Sequence, residues 1–411
     1  MPLPKTGTPA DEILSRLAAL QANDVDWKLG RAFTLAYYAG ADVLEVATAA
    51  NAMYHSTNAL NVEAFPSLRT MQSDVVAMVA ELLHGDGDAA GFMTTGGTES
   101  ILLAVKAARG RGRARGITAP EMILPTSAHA AFEKAAAYFD VASIRVPVRD
   151  DFRADPQAMA ARLTPDTVLV VGSAPSYPQG VVDPIAAIAA IAERAGINCH
   201  VDACMGGITL PMLERLGYAI PPFDFRVRGV TSISVDLHKY GYTAKGASVI
   251  LHRNKELRRH QTFVTDNWLG GLYASSGILG TKSGGPIAAA WAVMQYLGEP
   301  GYLRLTKAAR QATEALLAGL RSIPGVRVLG EPDATLAAFT FDDVDAFAIG
   351  KALRTRGWVV DQQQPPPSLH CTVNAVHAAL IDDFLAALRA ALDEVRGTRA
   401  RAAQAAYGSL E

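Results

Sequence analysis

Apolar residues recur along this chain in two alternating patterns. A helical spacing predicts amphipathic helices within residues 11–20, 40–54, 75–83, 101–108, 130–139 and 184–195. Short segments at residues 91–94, 122–124, 199–202, 232–235 and 248–251 are strand candidates, and the apolar run at residues 168–171 is of the buried-strand type. Helices that alternate with strands are typical of a mostly parallel sheet with helices on both faces. Because such a sheet binds ligands at the carboxyl ends of its strands, residues that follow strands are the first candidates for a functional site.

The pattern changes near Gly298, where turn residues interrupt it. Beyond this point it predicts a long helix from Tyr302 to about Leu320, then strands at residues 326–329 and 336–341 and helices at residues 346–356 and 381–395. This mixture indicates a smaller α+β domain. We therefore expect an N-terminal helical segment, a large ligand-binding domain and a small C-terminal domain, covering residues 1–60, 61–298 and 299–411.

Composition and charge narrow the class of protein. Half of the 411 residues are hydrophobic and 19% are charged, which supplies enough apolar material for a sizeable core. The formal net charge of −2 argues against a nucleic-acid partner, which would need a basic surface. The basic run at residues 109–116 is short and follows a helix, so we interpret it as a solvated loop rather than an RNA-binding tract.

The sequence also bears on location and on metal or disulfide chemistry. It contains neither a signal-peptide pattern nor an apolar run of ~18 residues, so we expect a cytoplasmic protein without a transmembrane anchor. Three cysteines, Cys199, Cys204 and Cys371, lack the paired spacing of a disulfide framework or a zinc site. We therefore expect free thiols and no bound metal.

Two motifs that follow strands fit a ligand with a phosphate and a flat ring. Residues 95–100 form a Thr-Gly-Gly-Thr-Glu-Ser turn before a helix. Adjacent glycines admit a ligand close to the backbone, and the helix N-terminus favours an anion. His129, within Ser127–Phe132, follows a strand where its ring could stack on a flat heteroaromatic group. Each motif also has an ordinary explanation, namely a turn with a helix N-cap and a capping or core histidine.

Two further motifs supply a carboxylate and an amine. Asp202 ends a buried strand and needs a partner. That partner is either a protonated pyridine nitrogen, whose charge makes the ring a better electron sink, or a loop N–H in an ordinary structural role. Lys239 follows another apolar strand, and we expect burial to lower its pKa and make the amine a nucleophile that forms an imine with an aldehyde cofactor. The neighbouring His238 can donate to a cofactor phosphate. The ordered set of four motifs is far more specific than any one of them.

Taken together, these motifs resemble those of the group II decarboxylases that depend on pyridoxal 5'-phosphate (PLP). Longer strings narrow the resemblance to the sphingosine-1-phosphate lyase family, and they lie at residues 127–139, 223–234, 238–246, 270–275 and 366–370. The similarity extends from about Trp27 to Val395. It implies the type I PLP-enzyme (aspartate aminotransferase-like) fold of class α/β. That fold has a large, mixed and mostly parallel sheet, a small α+β C-terminal domain, and a homodimer with shared active sites.

The resemblance assigns cofactor contacts to individual residues. Lys239 would bond covalently to PLP, Asp202 would face the pyridine nitrogen, and His129 would stack on the ring. The other cofactor contacts that it implies are Gly97, Thr98, Ala203, His238 and Thr281. In the family, the residue at the position of Thr281 reaches the cofactor phosphate of the partner subunit.

The positions near the substrate phosphate include one departure from the family. By resemblance they are Tyr38, Asn61 and Lys245, and Tyr38 and Lys245 are also candidate catalytic residues. The family's Asn-Pro-Leu-His stretch reads Asn-Ala-Leu-Asn at residues 58–61, so Asn61 replaces the expected histidine. Because asparagine donates a hydrogen bond but bears no charge, its contact with a phosphate dianion is weaker. This difference leaves open whether the substrate is phosphorylated.

The resemblance implies a lyase that acts on a lipid-like amine. It would cleave the Cα–Cβ bond of a phosphorylated long-chain base and release a fatty aldehyde and phosphoethanolamine. An amino-acid α-decarboxylase, or a lyase for a smaller 2-amino-3-hydroxy compound, would use the same cofactor groups. A regulatory PLP-fold protein is a third hypothesis, which the missing basic recognition helix and the full set of catalytic groups disfavour. Lys239, His129 and Lys245 are alternative general bases.

Overall fold

The central sheet is built from short strands, most of them fully buried. The computed structural model describes residues 2–396. Within them, the strands of this sheet are β1 Ala90–Thr94, β2 Glu121–Pro125, β3 Ala142–Val146, β4 Thr167–Ser173, β5 Asn198–Asp202, β6 Ser232–Asp236 and β7 Ser248–His252. Their order is β1-β7-β6-β5-β4-β2-β3. Among these seven strands, β7 runs in the direction opposite to the other six, so the predicted mixed, mostly parallel sheet is confirmed.

Helices cover both faces of this sheet. The helices before the C-terminal region are α1 Ala10–Gln21, α2 Ala41–Tyr54, α3 Pro66–Leu82, α4 Gly97–Arg113, α5 Ala131–Phe139, α6 Pro156–Ala160, α7 Ile185–Ala195, α8 Thr209–Arg215 and α9 Lys255–Arg258. Among them, α1 buries none of its residues and does not contribute to this cover. Because successive strand residues point to opposite faces, Met122 and Leu124 pack with α4 and α5. Ile123 joins the larger apolar cluster on the other face, which includes residues of α7. None of the helices in the described part of the chain is both long and apolar enough to span a bilayer.

A second, antiparallel sheet organises the C-terminal region. After a hairpin of β8 Phe263–Thr265 and β9 Tyr273–Ser275 come its strands, β10 Val326–Val328, β11 Leu336–Phe341, β12 Asp361–Gln363 and β13 Ser368–Thr372. They run in the order β10-β11-β13-β12. The helices α11 Ala346–Thr355 and α12 Ile381–Val395 contribute to the core of this region, where Phe339, Trp358 and Phe384 are buried. The residue limits proposed above for the domains stay predictions.

The prediction of a helix that starts at Tyr302 is wrong. The helix α10 spans Gly285–Arg321 and is kinked at Gly298, whose φ of 52° and ψ of −173° are not helical. Pro300 follows two residues later and lacks the N–H that an unbroken helix would need. Leu297 and Tyr302, on either side of the kink, are buried in the same core, so packing holds the two halves together as one bent element.

The basic run at residues 109–116 is also not the loop that we predicted, because α4 continues through it to Arg113. Gly112 fits inside this helix since it packs closely: a Cβ there would lie 2.4 Å from Val168 Cγ1. Arg111 Nη1 donates to Asn198 Oδ1 over 2.7 Å, which commits one guanidinium to an internal contact. The three cysteines are free and buried, as predicted.

Candidate active site

A cavity of about 690 Å³ lies at the carboxyl ends of the central strands. Seven of the sequence-predicted site residues line it: Gly97, Thr98, His129, Asp202, His238, Lys239 and Lys245. They come from the segments that follow β1, β2, β5 and β6, which are far apart in sequence and meet because these strands are parallel. Ala203 is fully buried beside Asp202.

The turn after β1 presents backbone to this cavity. Gly96 precedes the first residue of α4, whose N-terminal N–H groups have no partner within the helix. A Cβ on Gly97 would lie 2.7 Å from Cys204 Sγ and 2.8 Å from the Asp236 carboxylate, so only glycine fits there. The buried Glu99 fixes the turn by accepting from the backbone N–H of Thr95 over 2.6 Å. This arrangement suits a phosphate at a helix N-terminus.

Asp202 is a buried carboxylate at the end of β5. Its Oδ1 accepts from the N–H of Cys204 over 3.1 Å and from Ser234 Oγ over 3.3 Å. Across residues 2–396, Asp202 takes part in no ion pair. A buried carboxylate that faces a cavity without a cation of its own fits a ligand that brings positive charge, such as a protonated ring nitrogen.

Lys239 pairs with a carboxylate that the sequence analysis missed. Its Nζ lies 2.9 Å from Asp236 Oδ2. Desolvation disfavours the charge on Lys239, but the nearby Asp236 outweighs it and raises the lysine pKa well above its ordinary value. The expectation that burial lowers this pKa is therefore wrong. The carboxylate is held in turn by Ser248 Oγ on the adjacent strand β7.

Two histidines frame the cavity with defined hydrogen bonds. His129 Nδ1 accepts from the N–H of Ala131 over 3.1 Å, so this histidine is bonded to the first residue of α5 and lines the cavity at the same time. His238 Nδ1 lies 3.3 Å from the N–H of Ala247 and accepts from it. Burial lowers the pKa of both rings. A neutral His238 whose Nδ1 accepts carries its proton on Nε2, where it can donate to a ligand phosphate.

Lys245 supplies an ammonium group at the cavity wall. Its Nζ donates to the backbone oxygens of Leu35 and His238 over 2.9 and 3.1 Å and lies 4.9 Å from the ring centre of Tyr37. Although the residue is solvent-accessible, desolvation of the ammonium and the charge of Lys239 lower its pKa to about 8. Lys245 therefore keeps most of its positive charge at neutral pH.

Besides the buried Ala203, the structure places three sequence-predicted residues outside this chain's own cavity lining. The ring of Tyr38 packs edge-on against Trp27 with centroids 5.7 Å apart. Asn61 is exposed, and its Oδ1 accepts from the N–H groups that precede α3, at 3.1 Å each. The exposed Thr281 lies 3.4 Å from Asn58 Nδ2, so the segments that carry Asn61 and Thr281 are neighbours on one surface.

The cavity contains residues that sequence reasoning did not single out. Tyr37 lines it in place of its neighbour Tyr38, and Tyr177 contributes from the loop after β4. The hydroxyl of Tyr177 donates to Asp361 in the C-terminal region. The position of Asp236, three residues before Lys239 at a strand end, was the available signal for that partner. No local signal distinguished Tyr37 from Tyr38.

These features define a class of protein. One edge of a mostly parallel α/β sheet carries a lysine, a glycine turn at a helix N-terminus, a histidine and a buried carboxylate that forms no ion pair among the described residues. This set fits PLP, and the chain is a type I PLP-dependent enzyme. The family described as "Pyridoxal-dependent decarboxylase conserved domain" matches residues 25–342. More narrowly, the chain belongs to the sphingosine-1-phosphate lyase family and is a PLP-dependent carbon–carbon lyase.

Relatives of known identity support this assignment. The chain is 43% identical over 394 residues to a sphingosine-1-phosphate lyase of Arabidopsis thaliana, covering 94% of this chain and 72% of that enzyme. The structure of a Burkholderia pseudomallei sphingosine-1-phosphate lyase is 39% identical, with a TM-score of 0.93 over 97% of this chain and 93% of that one. A glutamate decarboxylase of Lactobacillus brevis shares the fold at 20% identity, with a TM-score of 0.84 over 98% of this chain and 96% of that one.

Proposed function

We propose that this enzyme cleaves the C2–C3 bond of a phosphorylated long-chain base of the sphingosine 1-phosphate type, yielding a fatty aldehyde and phosphoethanolamine. The observation that carries the proposal is the joint placement of Lys239, Asp202 and Lys245 around one cavity in a chain of this family. When bound, PLP supplies an aldehyde that bonds to amines and a ring that accepts the electron pair of the broken bond.

The residues of this chain would bind and orient both molecules. Lys239 would hold the cofactor aldehyde covalently until the substrate amine replaces it, which requires its ammonium to lose a proton. Gly97, Thr98 and the Nε2–H of His238 would bind the cofactor phosphate, and Asp202 would keep the ring nitrogen protonated. Lys239, His129 and Lys245 remain the candidates for removing the substrate hydroxyl proton.

Lys245 and Asn61 bear on the substrate phosphate. The ammonium of Lys245 supplies a charge-assisted contact, whereas Asn61 supplies at most a neutral one. We therefore expect a preference for phosphorylated substrates that depends on Lys245. The test is incubation of the PLP-loaded protein with phosphorylated and unphosphorylated long-chain bases and with amino acids. Aldehyde release from the phosphorylated base supports the proposal, and carbon dioxide release from an amino acid contradicts it.

We also propose that the active enzyme is a homodimer whose sites combine residues of two copies. Tyr38, Asn61 and Thr281 lie outside their own cavity, and the loop that leads to Thr281 follows the hairpin of β8 and β9. The tip of this hairpin exposes Trp268, Leu269 and Leu272, an apolar surface that a second copy would bury. Because this exposed apolar tip lies close in sequence to Thr281, a residue predicted to reach a partner's site, it favours another copy of the chain over an unrelated partner.

Mixing two inactive variants tests the shared site. Lys239→Ala removes the covalent attachment, and Thr281→Glu at an exposed position would repel a phosphate in the partner's site. If each site needs both chains, random pairing restores roughly a quarter of the wild-type activity, because half of the dimers gain one intact site. Absence of any recovery in a mixture of proven dimers would contradict the shared site. A cytoplasmic location stays a prediction, which cell fractionation tests.

A further inference from the structure

A row of buried polar side chains lies behind Asp202, on the strands β5 and β6. His200 Nδ1 lies 2.9 Å from Ser232 Oγ, and His200 Nε2 lies 3.2 Å from Ser234 Oγ. Ser234 Oγ is in turn 3.3 Å from Asp202 Oδ1. His200, Ser232 and Ser234 are at most 2% exposed, so water does not satisfy them.

The strand register explains this row. His200 pairs with Ser232, and Asp202 pairs with Ser234, in the parallel ladder of β5 and β6. Residues two apart on a strand point to the same face. The sequence His-Val-Asp on one strand and Ser-Ile-Ser on the next therefore places four polar side chains together on one face of the sheet, where apolar residues would otherwise be expected.

The protons in this row have one consistent direction. The Asp202 carboxylate can only accept, so Ser234 must donate its single hydroxyl proton to it. Burial lowers the pKa of His200 to about 4, so the ring is neutral and has one proton. That proton lies on Nε2, which donates to Ser234, and Nδ1 accepts from Ser232. Every hydrogen bond in the row therefore points toward Asp202.

Cys204 adds a further donor to the same hydroxyl. Its Sγ lies 3.4 Å from Ser234 Oγ, and burial raises the pKa of this thiol well above its ordinary value, so it stays protonated. Ser234 thus accepts two hydrogen bonds and donates one, which uses its full capacity. Donors that are themselves hydrogen-bonded polarise one another and strengthen the final bond to the carboxylate.

We propose that Ser234 and His200 are positioning residues that hold Asp202 as an oriented carboxylate for the ring nitrogen of PLP. The inference rests on the proposed binding of PLP in this cavity. It goes beyond that proposal, because it attributes the electron-accepting strength of the PLP ring to residues that do not touch the cofactor. Loss of Ser234 would remove the donor to Asp202 and leave the His200 N–H buried without an acceptor. Loss of Ser232 would remove the hydrogen bond to His200 Nδ1, which lies one hydrogen bond further from Asp202.

The test compares two cofactors in PLP-free protein. PLP carries the ring nitrogen, whereas its 1-deaza analogue has carbon at that position and keeps the aldehyde and phosphate. We expect Ser234→Ala to weaken PLP binding about tenfold, the scale of one hydrogen bond to a charged group. Binding of the deaza analogue should stay unchanged. Ser232→Ala should weaken PLP binding less than Ser234→Ala does, and Ser234→Thr, which keeps a hydroxyl, should restore most of it.

Two results would overturn the proposal. One is an equal loss of affinity for both cofactors, which would mean that Ser234 only supports the local fold. The other is an unchanged PLP affinity and an unchanged pH titration of the visible absorbance. Should Ser234→Ala fail to fold, His200→Phe, which fills the space beside Phe132, serves in its place: a selective loss of PLP affinity supports the proposal and an equal loss contradicts it. Wild-type protein that binds neither cofactor would instead refute the assignment of PLP.

Discussion

The two ends of the cavity differ in how completely one chain builds them. At the cofactor end, Gly97, Asp202 and Lys239 converge from three strand ends, and each is fixed by buried neighbours. At the substrate end, Lys245 lies in the cavity wall, while Tyr38 and Asn61 lie outside the lining of their own cavity. The comparison indicates that one chain builds the cofactor end of the cavity, whereas under our proposal recognition of the substrate phosphate also needs residues of a second copy.

Replacing Lys239 should have the largest effect of these changes, and it should disrupt only the cofactor end of the cavity. We expect Lys239→Ala to reduce turnover by at least about 10⁴-fold and to abolish the visible absorbance of the bound cofactor, because no other amine takes its place. Lys245→Ala is the control, since it changes the substrate end and should retain the absorbance. Unchanged absorbance in Lys239→Ala would refute the assignment of this lysine.

The pH dependence of kcat/KM should test the role of Lys245 at the substrate end of the cavity. Because the pKa of Lys245 is lowered to about 8, its ammonium is present below that pH and is lost as the pH rises through it. We expect kcat/KM for a phosphorylated substrate to fall by up to about tenfold per pH unit above pH 8.

Lys282, outside the cavity lining, also has a pKa lowered by burial to about 8, so a variant must identify the group responsible. The arginine of Lys245→Arg keeps its charge at every accessible pH, so the part of the fall in kcat/KM that is caused by Lys245 should disappear in this variant. A profile that is identical in wild type and Lys245→Arg would exclude Lys245 as the titrating group.

Replacing Asp236 should alter the cofactor end without removing its lysine. In Asp236→Asn the desolvation of Lys239 remains while its largest favourable charge is lost, so the lysine pKa falls. More of the amine is then neutral at pH 7, and PLP added to PLP-free protein should form its visible absorbance about tenfold faster, as for a change of one pKa unit. Ser248→Ala, which keeps the carboxylate, is the control. A slower reaction would show that Asp236 does not suppress the amine.

The sequence predicts the residues of the cavity to different degrees at its two ends. Asp202 and Lys239 were identified because each follows a buried apolar run, and a parallel sheet necessarily brings such ends together. The pairing of Lys239 with Asp236 was missed, since the balance between desolvation and attraction depends on a distance of 2.9 Å that sequence does not contain. Tyr37 and Tyr38 are adjacent residues of the same type, and the fold shows that Tyr37 is the one that lines the cavity.

The same limit applies to secondary structure. The strand β3 was not predicted, because it mixes Ser143 and Arg145 with apolar residues and lies at the sheet edge, where burial is incomplete. The short strands β12 and β13 were missed as well. For β12 the reason is that its glutamines carry no apolar pattern. The strands β2, β4 and β7 were predicted because burial on both faces favours continuous apolar residues.

The smallest expected effect comes from restoring a charge at the substrate end. Asn61→His should lower the KM for a phosphorylated substrate by about threefold at pH 6, where the imidazole is largely cationic, and have little effect at pH 8. The unphosphorylated substrate is the control and should show no change at either pH. An equal gain for both substrates would mean that position 61 does not contact the phosphate.

The most direct test of the central claim is chemical identification of the lysine that binds PLP. PLP-loaded protein is reduced with borohydride, which makes the bond between amine and cofactor permanent, and the protein is then digested and its peptides are sequenced by mass spectrometry. We predict one phosphopyridoxyl group, on Lys239. A modified Lys245 or Lys282 with an unmodified Lys239, or no modification at all, would contradict the account.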